Sequence, residues 1–318
     1  MQQELEAIER NRTWELCNLP DGVKAIGVKW IFKEKLNKNG DVDRYKARLV
    51  AKGYAQKYGI YYTEVFAPVA KWDTIRAVLA QACQRGMVIH QLDMKSDFLH
   101  GELTETVFVE QHPGFERLGS EDKVYKLKKA LYGLKQAPRA WYNRIESYFS
   151  QNGFIKYPHE PTLFIKTITG GNILIISLYV DDLIVAGTNL SMVNEFKDSM
   201  KIEFDMTDLG DLSYFLGVEV VQDESGIYIC QRKYAWQLLE RFKMADCNAV
   251  RNPMAPGCKI VKDGGSGFVD ATLYKKIVGS LMYTVATRPD LMYVLSLISR
   301  YMENHTQQHM TAVKSVGT

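Results

Sequence analysis

At 318 residues, 46% hydrophobic and with a formal charge of +3, the chain can bury a large core in two or three subdomains, which excludes disorder and leaves any basic surface to be found locally. Five cysteines (Cys17, Cys83, Cys230, Cys247 and Cys258) make no C-x-x-C pair and no ligand spacing with the six histidines, which argues against a disulfide framework or a zinc site and fits a reducing compartment. With no secretory leader and no apolar run long enough to span a bilayer, a soluble, intracellular protein without a membrane partner is expected.

Residues 2 to 10 read as a short polar helix with Leu5 and Ile8 on its apolar side, leading into Trp14 and the turn Pro20-Asp21-Gly22. A strand from about Ala25 to Lys35, a turn at Asn37-Lys38-Asn39-Gly40 and a strand from about Val42 to Lys52 make a hairpin. Between Lys24 and Tyr58 there are ten Lys or Arg against three Asp or Glu, so this stretch carries +7. Alternation puts Arg44, Lys46, Arg48 and Lys52 on one parity, opposite Tyr45, Ala47 and Leu49, while Lys29, Lys33 and Lys35 share a parity on the partner strand. The face is either a solubilising edge or a surface for a polyanion. Like charges stacked across strands destabilise a ribbon, which favours the polyanion.

Asp73 caps a helix whose Ile75, Val78, Leu79 and Cys83 recur at helical spacing, ending near Gly86. The run Met87 to Met94 is a strand pattern that ends on Asp93 and passes into Lys95-Ser96-Asp97-Phe98-Leu99-His100-Gly101. His90 and His100 flank it as packing residues. In Leu131 to Trp141, Gly133 allows close backbone approach, Pro138 suits a first helical turn, and Trp141, Ile145, Tyr148 and Phe149 form an apolar stripe. Lys126, Lys128, Lys129, Lys135 and Arg139 make that region basic.

Tyr179-Val180-Asp181-Asp182 sits between the apolar runs 173–178 and 183–186, as the tip of a buried hairpin. Adjacent carboxylates repel when partly desolvated, unless a cation lies between them or the turn is wet. A solvated Asp-Asp turn is the plain alternative. Asp93 at a neighbouring strand end supplies a third carboxylate, and magnesium favours sites with few protein carboxylates completed by phosphates and water. Two such ions, roughly 3.5 to 4 Å apart, support in-line phosphoryl transfer.

Taken together, Arg44 to Gly53, Gln91 to Ser96, Tyr132 to Tyr142 and Tyr179 to Asp182 resemble the reverse transcriptase region of copia-type retrotransposon Pol polyproteins, plant elements in particular. The pattern continues through Phe204 to Gly210, Tyr214 to Val220, Val278 to Tyr283 and Thr287 to Asp290, in the family's order and over nearly all of residues 1 to about 310. The resemblance implies an α+β, right-hand polymerase fold: an N-terminal segment and fingers in 1–86, palm with interspersed fingers elements in 87–230, and a helical thumb with a truncated connection in 231–318. It implies an RNA-directed DNA polymerase using two Mg2+ ions held by Asp93, Asp181 and Asp182. Lys46, Arg48 and Lys52 would meet the triphosphate, Phe98 would crowd the ribose 2′ position, and Gly133 and Gln136 would line the nucleotide and template pocket. Leu216, Gly217, Lys135 and Arg139 would touch primer or template. The implied partners are an RNA template, a DNA or RNA primer and dNTPs, with a homodimer or other polyprotein segments left open. The implied location is the cytoplasm, virus-like particles included. The amphipathic helices 234–243, 273–286 and 289–303 resemble the family's thumb.

Three features depart from the family pattern. Asp97 stands where a small residue, often Ala, is usual, four positions after Asp93. An extra charge about 4 Å from a substrate oxygen would cost about 4 kcal/mol at an effective dielectric near 20, so the alternative reading is an impaired copy that keeps only fold and nucleic-acid binding. His112 replaces a more usual proline. Helical similarity fades after about Met302, with 312–318 as a shortened remnant of the next helix; no ribonuclease H follows and no protease, integrase or zinc knuckle precedes, so the chain reads as one polyprotein segment or an isolated copy.

Overall fold

The computed structural model describes residues 1–36, 41–168, 170–254, 260–261 and 269–317. The turn Asn37 to Gly40, Cys258 and Thr318 lie outside the described residues. Residues 1–211 form one compact unit and residues 212–318 another.

In chain order the first unit carries α1 (Gln2–Arg10), β1 (Trp14–Cys17), β2 (Val28–Leu36), β3 (Val42–Ala51), α2 (Trp72–Gln84), β4 (Ile89–Met94), β5 (Glu102–Val109) and β6 (Val124–Lys129). It continues with α3 (Ala137–Gln151), β7 (Ile155–Tyr157), β8 (Glu160–Ile168), β9 (Asn172–Tyr179), β10 (Asp182–Gly187), α4 (Leu190–Glu203) and β11 (Met206–Asp211). The strands make a six-stranded sheet in the order β11-β4-β10-β9-β8-β7, a three-stranded sheet β1-β6-β5 and the ribbon β2-β3. Pairing within these sheets is antiparallel, so the architecture is α+β.

The side-chain period of two sorts the central sheet. Leu92, Met94, Ile176, Leu178, Leu183 and Val185 join the main core with Trp141, Ile145, Tyr148 and Phe149 of α3 and Val193, Phe196 and Met200 of α4. Four phenylalanines tighten it, with the Phe149 ring 4.8 Å from Phe164 and 5.5 Å from Phe154, and Phe154 5.4 Å from Phe196. Ile89, Gln91, Ile175, Ile184 and Ala186 take the other parity and are buried as well. Because both faces are covered, the strand ends remain for chemistry.

The second unit holds β12 (Tyr214–Phe215), β13 (Val218–Asp223), β14 (Gly226–Cys230), α5 (Arg232–Arg241), α6 (Ala271–Thr284), α7 (Met292–Ser299) and α8 (Gln307–Gly317). The three strands form one sheet, and Leu238, Tyr274, Ile277, Val278, Leu281, Leu295, Ile298, Met310 and Val313 form the helical core. Among the described residues no helix is long and apolar enough to cross a membrane.

Several sequence expectations shift in detail. Helix α2 is capped by Lys71 rather than Asp73, which sits inside the first turn and pairs with Arg76. Ala82, not Cys83, completes its buried stripe, because the stripe runs Ile75, Val78, Leu79, Ala82 and the next position rotates out to solvent. The pattern from Pro289 divides into a 3-10 turn, Pro289–Leu291, and α7, which stops at Ser299. The C-terminal stretch forms a helix of 11 residues, α8, anchored by buried His309, Met310, Val313 and Val316.

Candidate active site

The hairpin β9-β10 closes with Tyr179 opposite Asp182, leaving Val180-Asp181 as the turn. On its other side β10 pairs with β4, and the register sets Asp182 directly opposite Asp93. Directly opposed residues project to the same face. Two residues back along β4, Gln91 shares that face by the same alternation and donates its side-chain amide to Asp182 Oδ1 at 3.0 Å. The three acids of the sequence reading therefore meet at adjoining strand ends, although the chain separates Asp93 from Asp181 by a helix and five strands.

The turn is strained and held. Val180 has φ +56, a value rare for a β-branched residue. Trp141 on α3 donates its indole N–H to the Val180 carbonyl at 2.7 Å, and the Met94 N–H donates to the Asp181 carbonyl at 2.9 Å. His100 and Phe204 lie against Trp141, at ring distances of 6.2 and 5.6 Å. Burial holds the His100 imidazole down at about 4, so it is neutral packing. His90 is also buried and held below its usual value by desolvation.

The electrostatics report a surplus of negative charge. Burial first, then the Asp93 and Asp181 charges, push the Asp182 carboxyl up to about 6 against the pull of Gln91. Among the described residues neither Asp181 nor Asp182 forms an ion pair, and no group of three or more His, Cys, Asp or Glu side chains is placed to hold a metal ion. A cation beside the raised Asp182 carboxyl would offset both its burial and the neighbouring negative charges.

Asp97 is 1% exposed. Neither of its oxygens has a hydrogen-bond partner among the described residues. Burial, then the Asp181 charge, push it up to about 7, and nearby Phe98 N–H and Arg48 offset this only in part. The Arg48 guanidinium lies 4.9 Å from the centre of the Tyr132 ring, and Phe98 packs on the same ring at 4.7 Å. Arg48 also pairs with Glu4 of α1 at 3.4 Å. Glu4 was not legible as a site residue, since nothing local in a polar helix announces a partner forty-four positions away.

The ribbon β2-β3 keeps its sorted charges. Lys33 faces Lys46, Ile31 faces Arg48 and Lys29 faces Val50, so one face carries Lys29, Lys33, Lys46 and Arg48. The other face exposes Phe32 and Tyr45. Lys52 falls just past the end of β3, where its side chain and that of Glu110 share the space over Gly27. Sequence parity grouped it with Arg48, but parity holds only while the strand continues.

The loop before α3 is locked to the end of β3. Gly133 has φ +90, and a Cβ there would strike the Ala51 carbonyl, so the close approach expected of this glycine is real. Ala51 N–H donates to the Tyr132 carbonyl at 2.7 Å. Gln136 is buried with both ends engaged: Gln56 donates to its Oε1 at 2.9 Å, and its own amide donates to the Tyr61 carbonyl at 2.8 Å. Gln56 also accepts from Lys135 N–H at 2.8 Å, and Lys135 Nζ reaches Tyr62 Oη at 3.2 Å. Arg139 lies 3.5 Å from Glu64. Gln136 and Lys135 thus tie the loop before α3 to the segment that follows β3. Gln56, missed in the sequence, is the centre of that brace. Leu216 and Gly217 belong to the second unit, as the turn between β12 and β13.

Comparison with known proteins adds the family. A model described as reverse transcriptase (RNA-dependent DNA polymerase) matches residues 11–256. Over 99% of its length the chain is 39% identical to the retrovirus-related Pol polyprotein from transposon TNT 1-94 of Nicotiana tabacum, and 40% identical to that from transposon RE1 of Arabidopsis thaliana. It is 41% identical, again over 99%, to the corresponding polyprotein from transposon RE2 of the same plant. The chain spans 24%, 22% and 22% of these relatives, less than a quarter of each.

Proposed function

The chain belongs to the reverse transcriptase (RNA-dependent DNA polymerase) family, and from that premise we propose that it is the polymerising segment of a retrotransposon Pol polyprotein, copying RNA into DNA from a primer 3′-hydroxyl. The observation that carries this reading is the direct opposition of Asp93 and Asp182 beside the Asp181 turn. Asp93, Asp181 and Asp182 would hold two magnesium ions, which supply activation of the primer hydroxyl and stabilisation of the leaving pyrophosphate. The protein's own contribution is to hold the acids at adjoining strand ends, to keep a guanidinium at Arg48 over Tyr132, and to wall the pocket with Phe98, Gly133 and Gln136. Lys46 and Lys52 extend the cationic surface for the triphosphate, and Lys135 and Arg139 that for template. In right-hand terms, 1–86 are fingers, 87–230 palm and 231–318 thumb, with Leu216-Gly217 at the primer terminus.

A second reading rests on Asp97. A buried carboxyl without a hydrogen-bond partner among the described residues, close enough to Asp181 to be shifted by it, loads the pocket with further negative charge. This favours a chain that binds primer and template but turns over slowly. Extension of a DNA primer on a poly-rA template with magnesium, using Asp181→Asn as blank, tests the activity. Incorporation above the blank supports polymerisation. Salt-dependent duplex binding without incorporation selects the binding-only reading.

A further inference from the structure

Two stretches of the family pattern, Val278 to Tyr283 and Thr287 to Asp290, have no part in the carboxylate site. In the second unit both converge on one turn. Phe215 pairs with Val218, so Leu216-Gly217 alone reverse the chain between β12 and β13, with φ +48 and +79. Two positive φ values suit a tight two-residue hairpin, where glycine or asparagine is easy and leucine is strained. Strain of this kind persists only where the surroundings impose it.

The surroundings here are specific. The Tyr283 phenol donates to the Leu216 carbonyl, and a Cβ on Gly217 would run into the same hydroxyl. Tyr283 is itself clamped. The Tyr234 ring meets it edge-on at 4.7 Å, and the buried Gln231 donates its amide to the Tyr283 carbonyl at 3.2 Å. Gln231 Oε1 in turn accepts from the Thr287 hydroxyl at 2.8 Å. A chain of contacts thus runs from Thr287 through Gln231 to Tyr283 and ends on the strained turn.

We propose that Tyr283 is a positioning residue for the primer strand, its phenol fixing the Leu216-Gly217 backbone in the conformation that seats the primer terminus. The proposal rests on the reading that this turn meets the primer. A turn needed only for folding gains nothing from leucine in a left-handed conformation. A turn that must present its backbone in one orientation to a ligand gains from being both strained and locked.

The test uses the full chain, comparing wild type with Tyr283→Phe and Thr287→Val. Tyr283→Phe is expected to slow single-nucleotide extension roughly tenfold, part of the hundredfold that a misplacement of about 1 Å can cost. The KM for dNTP should stay within about twofold and Tm within about 2 °C. Thr287→Val should show the same pattern more weakly. Should neither wild type nor Asp181→Asn extend, the activity reading fails, and fluorescence anisotropy still reads the turn. Tyr283→Phe should then release a recessed primer–template roughly fivefold faster than wild type, with release of a blunt duplex unchanged. Equal extension and equal release in wild type and variant, or losses that only follow a falling Tm, would overturn the proposal.

Discussion

Asp93 and Asp182 face each other across β4 and β10, and the negative charge of Asp93 is one of the causes that push the Asp182 carboxyl up to about 6. Removing the Asp93 charge should let the Asp182 carboxyl fall back toward its ordinary value. Asp182→Asn and Asp93→Asn are each expected to lower extension on the order of a hundredfold or more, and EDTA should abolish it in wild type. Steady-state incorporation at saturating primer–template checks this, and an Asp93→Asn enzyme with wild-type rates would contradict it.

Asp97 makes metal-free stability depend on pH in a direction opposite to that of an ordinary paired aspartate. Its folded pKa is raised from 3.8 to about 7, chiefly by burial and secondarily by Asp181. The folded chain therefore binds this proton more tightly than the unfolded chain, so the contribution is full below about pH 4, declines as pH rises toward about 7, and then levels off. His100, lowered to about 4, tilts the wild-type curve the other way between there and 6.5, so the difference between two proteins is the quantity to read. In EDTA, Asp97→Asn should exceed wild type by a few kcal/mol at about pH 8 and by only about 1 kcal/mol near pH 4.5. Urea denaturation gives the comparison, and a difference independent of pH would refute the assignment.

The same titration shapes activity. Below about pH 7 much of the Asp97 population is neutral, so its repulsion toward a triphosphate grows with pH. Asp97→Ala should therefore extend primers faster than wild type by a ratio that is small near pH 6 and larger, on the order of tenfold, near pH 8.5. Equal rates at both values would remove Asp97 from the list of impairments.

Glu4 and Arg48 should behave as a coupled pair. Burial raises the Glu4 carboxyl while Arg48 pulls it back, and the two side chains are only 8% and 17% exposed. Glu4→Gln leaves Arg48 over Tyr132 without its carboxylate and is expected to lower stability by about 1–3 kcal/mol. With Arg48→Met already in place the same change should matter less, a non-additivity that a double-mutant cycle on urea midpoints would register.

Trp141→Phe keeps the packing of α3 but takes away the indole donor to the Val180 carbonyl. The expected loss is about 1–2 kcal/mol, together with slower extension, because the turn carrying Asp181 is strained and depends on its anchors. Unchanged stability and rate would make that hydrogen bond dispensable.

The sequence made the local half of this site legible. Apolar runs on either side of Asp181-Asp182 required a hairpin, and alternation in β2 and β3 sorted the cationic face, because period-two burial is a local rule. What remained hidden was fixed by long-range register. Gln91 was recoverable in principle, two positions before Asp93 on the same face. Glu4 and Gln56 were not, since their partners Arg48 and Gln136 lie 44 and 80 residues away and a polar side chain carries no mark of its partner. Lys52 was misgrouped because β3 ends one residue before it. The phase of α2 was misread by one position, since Cys83 and Ala82 are both apolar and only packing chooses between them.

The most direct measurement is manganese binding followed by paramagnetic relaxation of water protons in the presence of dTTP, for wild type and Asp182→Asn. If Asp93, Asp181 and Asp182 form one cation site, wild type should show an enhancement that the variant loses, with both proteins melting within about 2 °C of each other. Equal enhancement in the two folded proteins would mean that the ions bind elsewhere.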